Sequence, residues 1–275
     1  MNKFIVVGLV GILSCLPFYN HAQPKFLNKS NHKFTVIAHR GDHIEAPENT
    51  LLAYQHAIDN DVDFIEIDLR TTVDGKQIIM HNSDIEHMTS IKGKVKEMRF
   101  DSLRKIMVKD PTHSEWGLHK IPTFNEVLEL CRGKINIYLD FKDADVEKTY
   151  QEILAAHMEK NIMVYINAPS QYTEWRKIAP EIPLVISLPK KVNTDKQMKK
   201  MILRYKMEIL DGDFSEYTAQ AVLTAQQNHI LVWPDIQSTD EGPERWDKAL
   251  ALGFDGLQTD HPAALIKYLI SKGIR

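Results

Sequence analysis

Residues 34–60 read FTVIAHRGDHIEAPENTLLAYQHAIDN, and this stretch contains the unit that decides the fold. An apolar, β-rich run at 34–39 ends on His39 and Arg40, and a stretch of helical period follows at 49–60. The histidine and the arginine are either a phosphate-binding group beside a proton-transfer group or only the polar edge of a strand. The remainder of the chain decides between these two interpretations.

The same strand-then-helix unit recurs along the chain. Further β-rich runs predict strands at 64–70, 135–142, 162–167, 183–188, 208–213, 229–234 and 254–260. Stretches of helical period between or after them lie at 123–132, 146–160, 194–206, 217–228 and 262–273. Eight strands are the number that closes a (β/α)8 barrel, whereas a doubly wound sheet would carry a glycine-rich phosphate loop after its first strand. We therefore predict an α/β protein with the TIM-barrel fold over residues 34–275.

One segment, 71–120, interrupts the alternation. Residues 71–84 place an Asp74-Gly75 turn between two β-like runs, which is typical of a hairpin. Residues 84–120 show little periodicity. We predict a hairpin and an insertion after the second barrel strand, forming a cap over the mouth of the barrel.

The first 22 residues have the pattern of a signal peptide, because one lysine precedes an apolar run that is too short to span a membrane comfortably. Cleavage could follow Ala22, or the run Ile-Leu-Ser-Cys could make Cys15 the lipidated residue of a lipoprotein. We therefore expect an exported protein, either periplasmic or secreted, or anchored through a lipid at Cys15. No stable transmembrane span is expected after processing. We predict that Cys131 is buried in a helix.

The charge of the chain excludes one class of partner. The formal net charge is −3, and the sequence contains no long Lys/Arg run. Nucleic-acid-binding domains usually carry a basic patch, so no nucleic-acid partner is expected.

Polar residues fall where the predicted strands end, and in a TIM barrel the C-terminal strand ends form the active site. These strand-end residues, with His81 from the hairpin, are His39, Arg40, Glu66, Asp68, Asp140, Lys142, Asn167, Asp211, Asp213, Trp233, Asp235, Thr259 and Asp260. Residues two apart on a strand point to the same face, so Glu66 and Asp68 share the barrel interior.

Inward-facing carboxylates need a cation, because burying an unpaired charge is costly. For Glu66, Asp68 and Asp140 this cation is either a Lys or Arg side chain or a metal ion, and spacing alone leaves both open. An all-oxygen set would suit Ca²⁺ or Mg²⁺ better than zinc. A divalent ion together with Arg40 and Lys142 would leave one positive charge, which a phosphodiester neutralises. The planar fork of arginine also suits phosphate oxygens.

The two histidines His39 and His81 reach the mouth from different segments. Each alone is more typical of a structural residue. Together they would form a general acid and base pair of the kind that phosphodiester cleavage requires.

An ordered set of motifs resembles the glycerophosphodiester phosphodiesterase family over residues 34–268. The motifs are HRG at 39–41, ENT at 48–50, E-x-D at 66–68, T-x-D-G at 72–75, a histidine at 81 and TDHP at 259–262. The resemblance implies a (β/α)8 barrel that hydrolyses glycerophosphodiesters to glycerol phosphate and an alcohol, with bound Ca²⁺ or Mg²⁺.

The resemblance also implies roles for particular residues. Catalysis would fall to His39 and His81, phosphate binding to Arg40 and Lys142, metal binding to Glu66, Asp68 and Asp140, and support of the site to Glu48 and Asn49. Three positions depart from the family pattern: Asn82 replaces the usual Asp, Asp140 the usual Glu, and VWPDI (232–236) the usual aromatic-Thr-Val-Asn run.

The last departure leaves the leaving-group side open. Trp233 and Asp235 would lie there, and Asp235 could favour a cationic headgroup or belong to an ordinary solvated loop. We expect metal-dependent hydrolysis of substrates such as glycerophosphocholine or glycerophosphoethanolamine to glycerol 3-phosphate. The alternatives are phospholipase D-like cleavage of lysolipids or sphingolipids, which needs an apolar lip on the cap, and a barrel that binds diesters without cleaving them.

Overall fold

The computed structural model describes residues 32–192 and 194–275. The predicted signal peptide, including Cys15, lies outside these residues. No helix within the described ranges is both long enough and apolar enough to cross a membrane.

The central feature is a barrel of eight parallel strands, as predicted. Its strands in chain order are β1 Thr35–Ala38, β2 Phe64–Thr71, β6 Asn136–Phe141, β7 Ile162–Ile166, β8 Leu184–Ser187, β9 Ile209–Asp211, β10 Leu231–Val232 and β11 Gly256–Thr259. The order around the sheet is β10-β9-β8-β7-β6-β2-β1-β11. The β-branched and aromatic residues of these runs favour strands, and burial on both faces explains why the runs are almost continuously apolar.

The barrel nearly closes between its last two strands. Backbone N–H groups of Asp255 and Gln258 donate to the carbonyls of Val232 (3.1 Å) and Pro234 (3.0 Å). Beyond β10, Asp235 forms parallel bridges to both Asp213 and Gln258. Asp235 therefore lies on the seam of the barrel.

Helices cover the outside of the barrel. They are α1 Leu51–Asp59, α4 Phe124–Cys131, α5 Val146–Ala155, α6 Pro169–Ile178, α7 Asp195–Arg204, α8 Ala219–Gln227, α9 Pro243–Leu252 and α10 Pro262–Ser271. Their starts follow from local chemistry: Thr50 and Thr123 accept hydrogen bonds from first-turn N–H groups, and α10 begins at Pro262. Cys131 is fully buried at the end of α4, as predicted.

A layer of apolar side chains fills the barrel below its mouth. This layer comprises Ile37, Phe64, Tyr138, Met163, Val185, Ile209, Leu231 and Trp233. The ring centroids of Trp233 and Phe64 lie 5.3 Å apart. The interior is therefore a packed core that forms the floor of the site above it.

The insertion after β2 has the predicted hairpin. Strand β3 (Gln77–Ile79) pairs antiparallel with the end of β2, and Gly75 in the turn has φ +77°. The insertion then contains α2 Glu86–Thr89, α3 Phe100–Leu103, β4 Met107–Val108 and β5 His119–Lys120. Its own apolar cluster comprises Ile78, Met80, Ile85, Met88, Val95, Leu103, Val108 and Ile121. The N–H of Ile79 donates to the carbonyl of Pro122 (2.9 Å), so the two ends of the insertion meet.

Candidate active site

A cavity of about 130 Å³ opens at the C-terminal ends of the barrel strands. The predicted residues that line it are His39, Glu66, Asp68, His81, Asp140, Lys142 and Asp235. Parts of the chain that are far apart in sequence therefore converge on one space. Arg40, Glu48, Asn49 and Trp233 do not line it.

Three carboxylates meet on one wall of the cavity. Glu66 and Asp68 point inward from β2, and the parallel register pairs Asp68 with Asp140 on β6. One ligand atom from each of the three residues lies within 4.8 Å of the others. Glu66 and Asp68 are only 3% and 1% exposed. This all-oxygen, buried arrangement suits a divalent cation such as Ca²⁺ or Mg²⁺.

Lys142 is the ammonium group nearest to the three carboxylates among the described residues. Its Nζ lies 3.0 Å from Oδ1 of Asp68 and also contacts Asp140. Burial lowers the pKa of Lys142, but Asp68 and Asp140 outweigh it, and the net pKa is raised. Lys142 therefore stays charged, and one ammonium cannot neutralise three carboxylates.

The pKa of Glu66 reflects the excess of negative charge on this wall. Burial, followed by the neighbouring Asp68 and Asp140, raises the pKa of Glu66 well above its usual value. Burial opposes ionisation of Asp68 too, but Lys142, together with Arg40 and the hydrogen bond from Asn49, outweighs it, and the pKa of Asp68 is lowered. A cation at this wall would favour the ionised form of Glu66.

Residues of the loop after β1 form hydrogen bonds that position Glu66 and Asp68. Arg40, which has φ +55°, donates its backbone N–H to Glu66 (2.9 Å) and its guanidinium Nη1 to Glu48 (2.7 Å). Its Nε lies 3.7 Å from Asp68. Asn49 donates from Nδ2 to Asp68 (2.7 Å). Two residues of the ENT motif therefore support the cavity wall: Glu48 contacts Arg40, and Asn49 contacts Asp68.

Gly41 is required by this loop. Its φ is +87°, and a Cβ there would lie 2.9 Å from the backbone of Ala53. Both the left-handed conformation and the close approach of α1 favour glycine.

Both predicted histidines line the cavity and are oriented through Nδ1. In His39 this atom lies 2.7 Å from Oδ1 of Asp260, and in His81 it lies 2.9 Å from Oδ1 of Asn82. Because these oxygens accept, Nδ1 carries the proton in each neutral ring and Nε2 is an acceptor. Burial lowers the pKa of His81. Neutral His81 is therefore suited to accept a proton.

Trp233 and Asp235 lie at different heights in the barrel. Trp233 is 1% exposed and belongs to the apolar layer below the site. Asp235 lines the cavity and accepts from Nε2 of Gln258 (2.5 Å), so it is not an ordinary solvated loop residue. Burial is the main cause of its raised pKa.

Asp211, one of the predicted strand-end residues, also lines the cavity. Four further lining residues were not predicted from the sequence: Tyr138, Tyr165, Gln237 and Gln258. Period-two spacing was a usable signal for two of them, since Tyr138 precedes Asp140 by two residues and Gln258 precedes Asp260 by two. Asp260 had been noted only as a strand end, but it is the partner of His39.

Known proteins resemble this chain along most of its length. Residues 39–264 match the Glycerophosphoryl diester phosphodiesterase family. A glycerophosphodiester phosphodiesterase of Caldanaerobacter subterraneus is 28% identical, over 88% of this chain and 99% of that protein. One of Bacillus altitudinis is 27% identical, over 84% and 96%.

Solved structures share the fold. A glycerophosphodiester phosphodiesterase of Agrobacterium tumefaciens has a TM-score of 0.76 at 18% identity, covering 85% of this chain and 99% of that one. A phosphodiesterase of Oleispira antarctica, in complex with the product sn-glycerol-3-phosphate, has a TM-score of 0.71 at 21% identity, covering 86% and 96%.

Proposed function

The chain belongs to the glycerophosphoryl diester phosphodiesterase family and is a phosphoric diester hydrolase, and from this premise we propose that it cleaves glycerophosphodiesters by histidine acid–base catalysis with a divalent cation. The products would be glycerol 3-phosphate and an alcohol. One observation carries the proposal: three carboxylates and two histidine rings line a single cavity at the mouth of the barrel.

Glu66, Asp68 and Asp140 would hold the cation. A Ca²⁺ or Mg²⁺ ion bound there supplies Lewis-acid stabilisation of the charge that develops on phosphoryl oxygens. Lys142 adds a fixed positive charge on the same wall, where it can bind a non-bridging oxygen. Arg40 is held by Glu48 and positions Glu66 through its backbone N–H; its guanidinium would add a second fixed positive charge for the phosphate.

The two histidines would move the protons. His81 takes the proton from the attacking hydroxyl, which belongs either to water or to the glycerol of the substrate, as a new P–O bond forms. Attack by water gives glycerol phosphate directly, whereas attack by the glycerol hydroxyl gives a cyclic phosphate that water opens in a second step. His39 donates a proton to the leaving alkoxide as the old P–O bond breaks. The carboxylate of Asp260 on Nδ1 suits His39 to the acid role, since it stabilises the imidazolium form.

A cleavage assay with glycerophosphocholine and glycerophosphoethanolamine tests the proposal. We expect activity with Ca²⁺ or Mg²⁺, loss of activity with EDTA, and a loss of about 10²-fold or more in His39→Ala and in His81→Ala. The exposed His87, a few residues from His81, provides the matched control His87→Ala. EDTA-resistant cleavage would exclude the metal. Near-wild-type activity of either site variant would exclude that histidine.

The lysolipid or sphingolipid alternative finds less support. The apolar lip that this alternative needs would be formed by Met88, Ile91, Val95, Met98 and Phe100. Met88 and Val95 are buried in the core of the insertion, however, and Met98 and Phe100 pack against it. Only Ile91 of this set is strongly exposed. Comparison of glycerophosphocholine with lysophosphatidylcholine in the same assay separates the two classes. Product release from any diester excludes a barrel that only binds.

Export of the protein remains a prediction. The signal peptide at 1–22 would be cleaved after Ala22, or Cys15 would carry the lipid. Mass spectrometry of the mature protein, together with cell fractionation, distinguishes cleavage, lipidation and retention of the segment.

A further inference from the structure

The side of the cavity away from the metal ligands carries a second acidic pair. Asp211 ends β9 and is 3% exposed, and Asp235 follows β10 on the seam. Both carboxyl groups line the same cavity. Burial, and then the neighbouring Asp235, raises the pKa of Asp211, so a cation at this pair would be favourable. Neither residue has a part in the proposed chemistry.

The surroundings hold the pair in place. The hydroxyl of Tyr138 donates to Oδ2 of Asp211, and the N–H of Gly212 donates to Oδ1 (2.6 Å). Nε2 of Gln258 donates to Oδ1 of Asp235. These contacts position the carboxyl groups at the cavity without supplying a positive charge.

Gln258 provides an independent sign of a ligand. Its side chain is 5% exposed and lines the cavity, yet Oε1 has no hydrogen-bond partner among the described residues. A buried carbonyl oxygen without a donor is unfavourable. The missing partner is a hydrogen-bond donor, and the neighbouring Asp235 favours one that carries positive charge.

A primary ammonium fits these requirements better than the alternatives. It donates up to three hydrogen bonds and supplies the positive charge that two neighbouring carboxyl groups favour. A quaternary ammonium has the charge but no N–H, so Oε1 of Gln258 would stay unpaired. A hydroxyl has a donor but leaves the carboxyl pair without a cation.

The acidic pair lies on the side of the cavity where His39 would protonate the leaving alcohol. His39 follows β1, which pairs with β11, the strand that carries Gln258, whereas His81 follows β3 on the hairpin that pairs with β2. If His39 protonates the leaving alcohol, that alcohol lies on the side of Asp235. We propose that Asp211, Asp235 and Gln258 form a subsite for a primary ammonium on the leaving alcohol, so that the enzyme selects primary-amine headgroups over quaternary ones. This selectivity rests on the proposed function.

The test compares kcat/KM for glycerophosphoethanolamine, glycerophosphocholine and glycerophosphoglycerol. Wild-type protein should favour the ethanolamine diester over the choline diester by about tenfold or more, the usual size of a charge-assisted hydrogen bond. Asp235→Asn and Gln258→Met should each reduce this ratio about tenfold. The matched control is Asp213→Asn, because Asp213 is exposed and accepts from the N–H of Ser215 (2.8 Å) outside the cavity.

The outcomes separate the two proposals. If wild-type protein cleaves all three diesters within threefold of each other, the subsite is refuted and the phosphodiesterase function stands. An unchanged ratio in both variants, or an equal change in the control, also refutes the subsite. If no diester is cleaved, both fail. The wild-type comparison decides the matter even where a variant does not fold.

Discussion

Replacing Asp260 with asparagine should remove the charge that stabilises protonated His39 while keeping an oxygen within reach of Nδ1. In the structure Oδ1 of Asp260 lies 2.7 Å from this nitrogen. The His39 and Asp260 side chains are 22% and 30% exposed, so water reaches the pair only partly. The variant keeps the shape of the side chain and isolates its electrostatic contribution.

The size of the effect follows from Coulomb's law. Two unit charges about 4 Å apart interact by about 4 kcal/mol at an effective dielectric of 20 and by about 1 kcal/mol in water. For partly exposed partners we take about 2 kcal/mol, which corresponds to a loss of roughly 30-fold. The loss should appear in kcat, because the imidazolium charge matters most as the proton is transferred.

Steady-state cleavage of a glycerophosphodiester measures this effect. His43 provides the control, because its Nε2 lies 3.7 Å from the same carboxylate while its Nδ1 lies 3.0 Å from the carbonyl of His39. We expect His43→Gln to retain activity within about threefold of wild type if the charge of Asp260 acts through His39. A loss smaller than threefold in Asp260→Asn, or an equal loss in His43→Gln, would refute the reasoning.

Three further predictions concern stability and ion binding. Arg275→Ala removes the guanidinium whose Nη1 lies 2.5 Å from Oδ2 of the buried Asp63. The free energy of unfolding should fall by about 3 kcal/mol or more, which lowers the calorimetric Tm by roughly 6–12 °C. A decrease in Tm of less than about 2 °C contradicts this prediction. Gly41→Ala forces a Cβ to 2.9 Å from Ala53 at positive φ and should lower stability by about 2 kcal/mol in denaturant unfolding; wild-type stability argues against the close approach. Because burial and the neighbouring Asp68 and Asp140 raise the pKa of Glu66, cation binding should weaken and release protons as the pH falls towards and below that pKa. Calorimetry in two buffers of different ionisation enthalpy, repeated over a range of pH, detects the release; heats that do not depend on the buffer at any pH count against it.

The barrel was predictable because its signals are local. Each barrel strand was recognised from its β-rich apolar run, and the spacing of two between Glu66 and Asp68 gave their common face. Parallel pairing of β2 with β6 then brings Asp140 to the same wall without further information. The site residues that follow from strand ends and period two were therefore accessible from sequence.

The sequence did not indicate at which height inside the barrel each inward-facing side chain lies. Leu231, Trp233 and Asp235 alternate towards one side of the chain, but the first two lie in the apolar floor and only Asp235 reaches the cavity. Each step of two residues along an extended chain rises about 6.6 Å, so the face alone does not tell which layer meets the substrate. The bridges of Asp235 to Asp213 and Gln258 depend on closure of the ring, which joins residues far apart in sequence.

The insertion after β2 could be exchanged or lengthened without disturbing the barrel strands. Its ends meet at Ile79 and Pro122, and it carries an apolar core of its own. A segment that leaves and re-enters the barrel at one point can be exchanged or lengthened with little strain on the strands, since loop length costs little once the ends are together. His81 and its partner Asn82 follow Ile79 closely at the start of this segment. Residues 83–121 can therefore be exchanged while both histidines keep their positions.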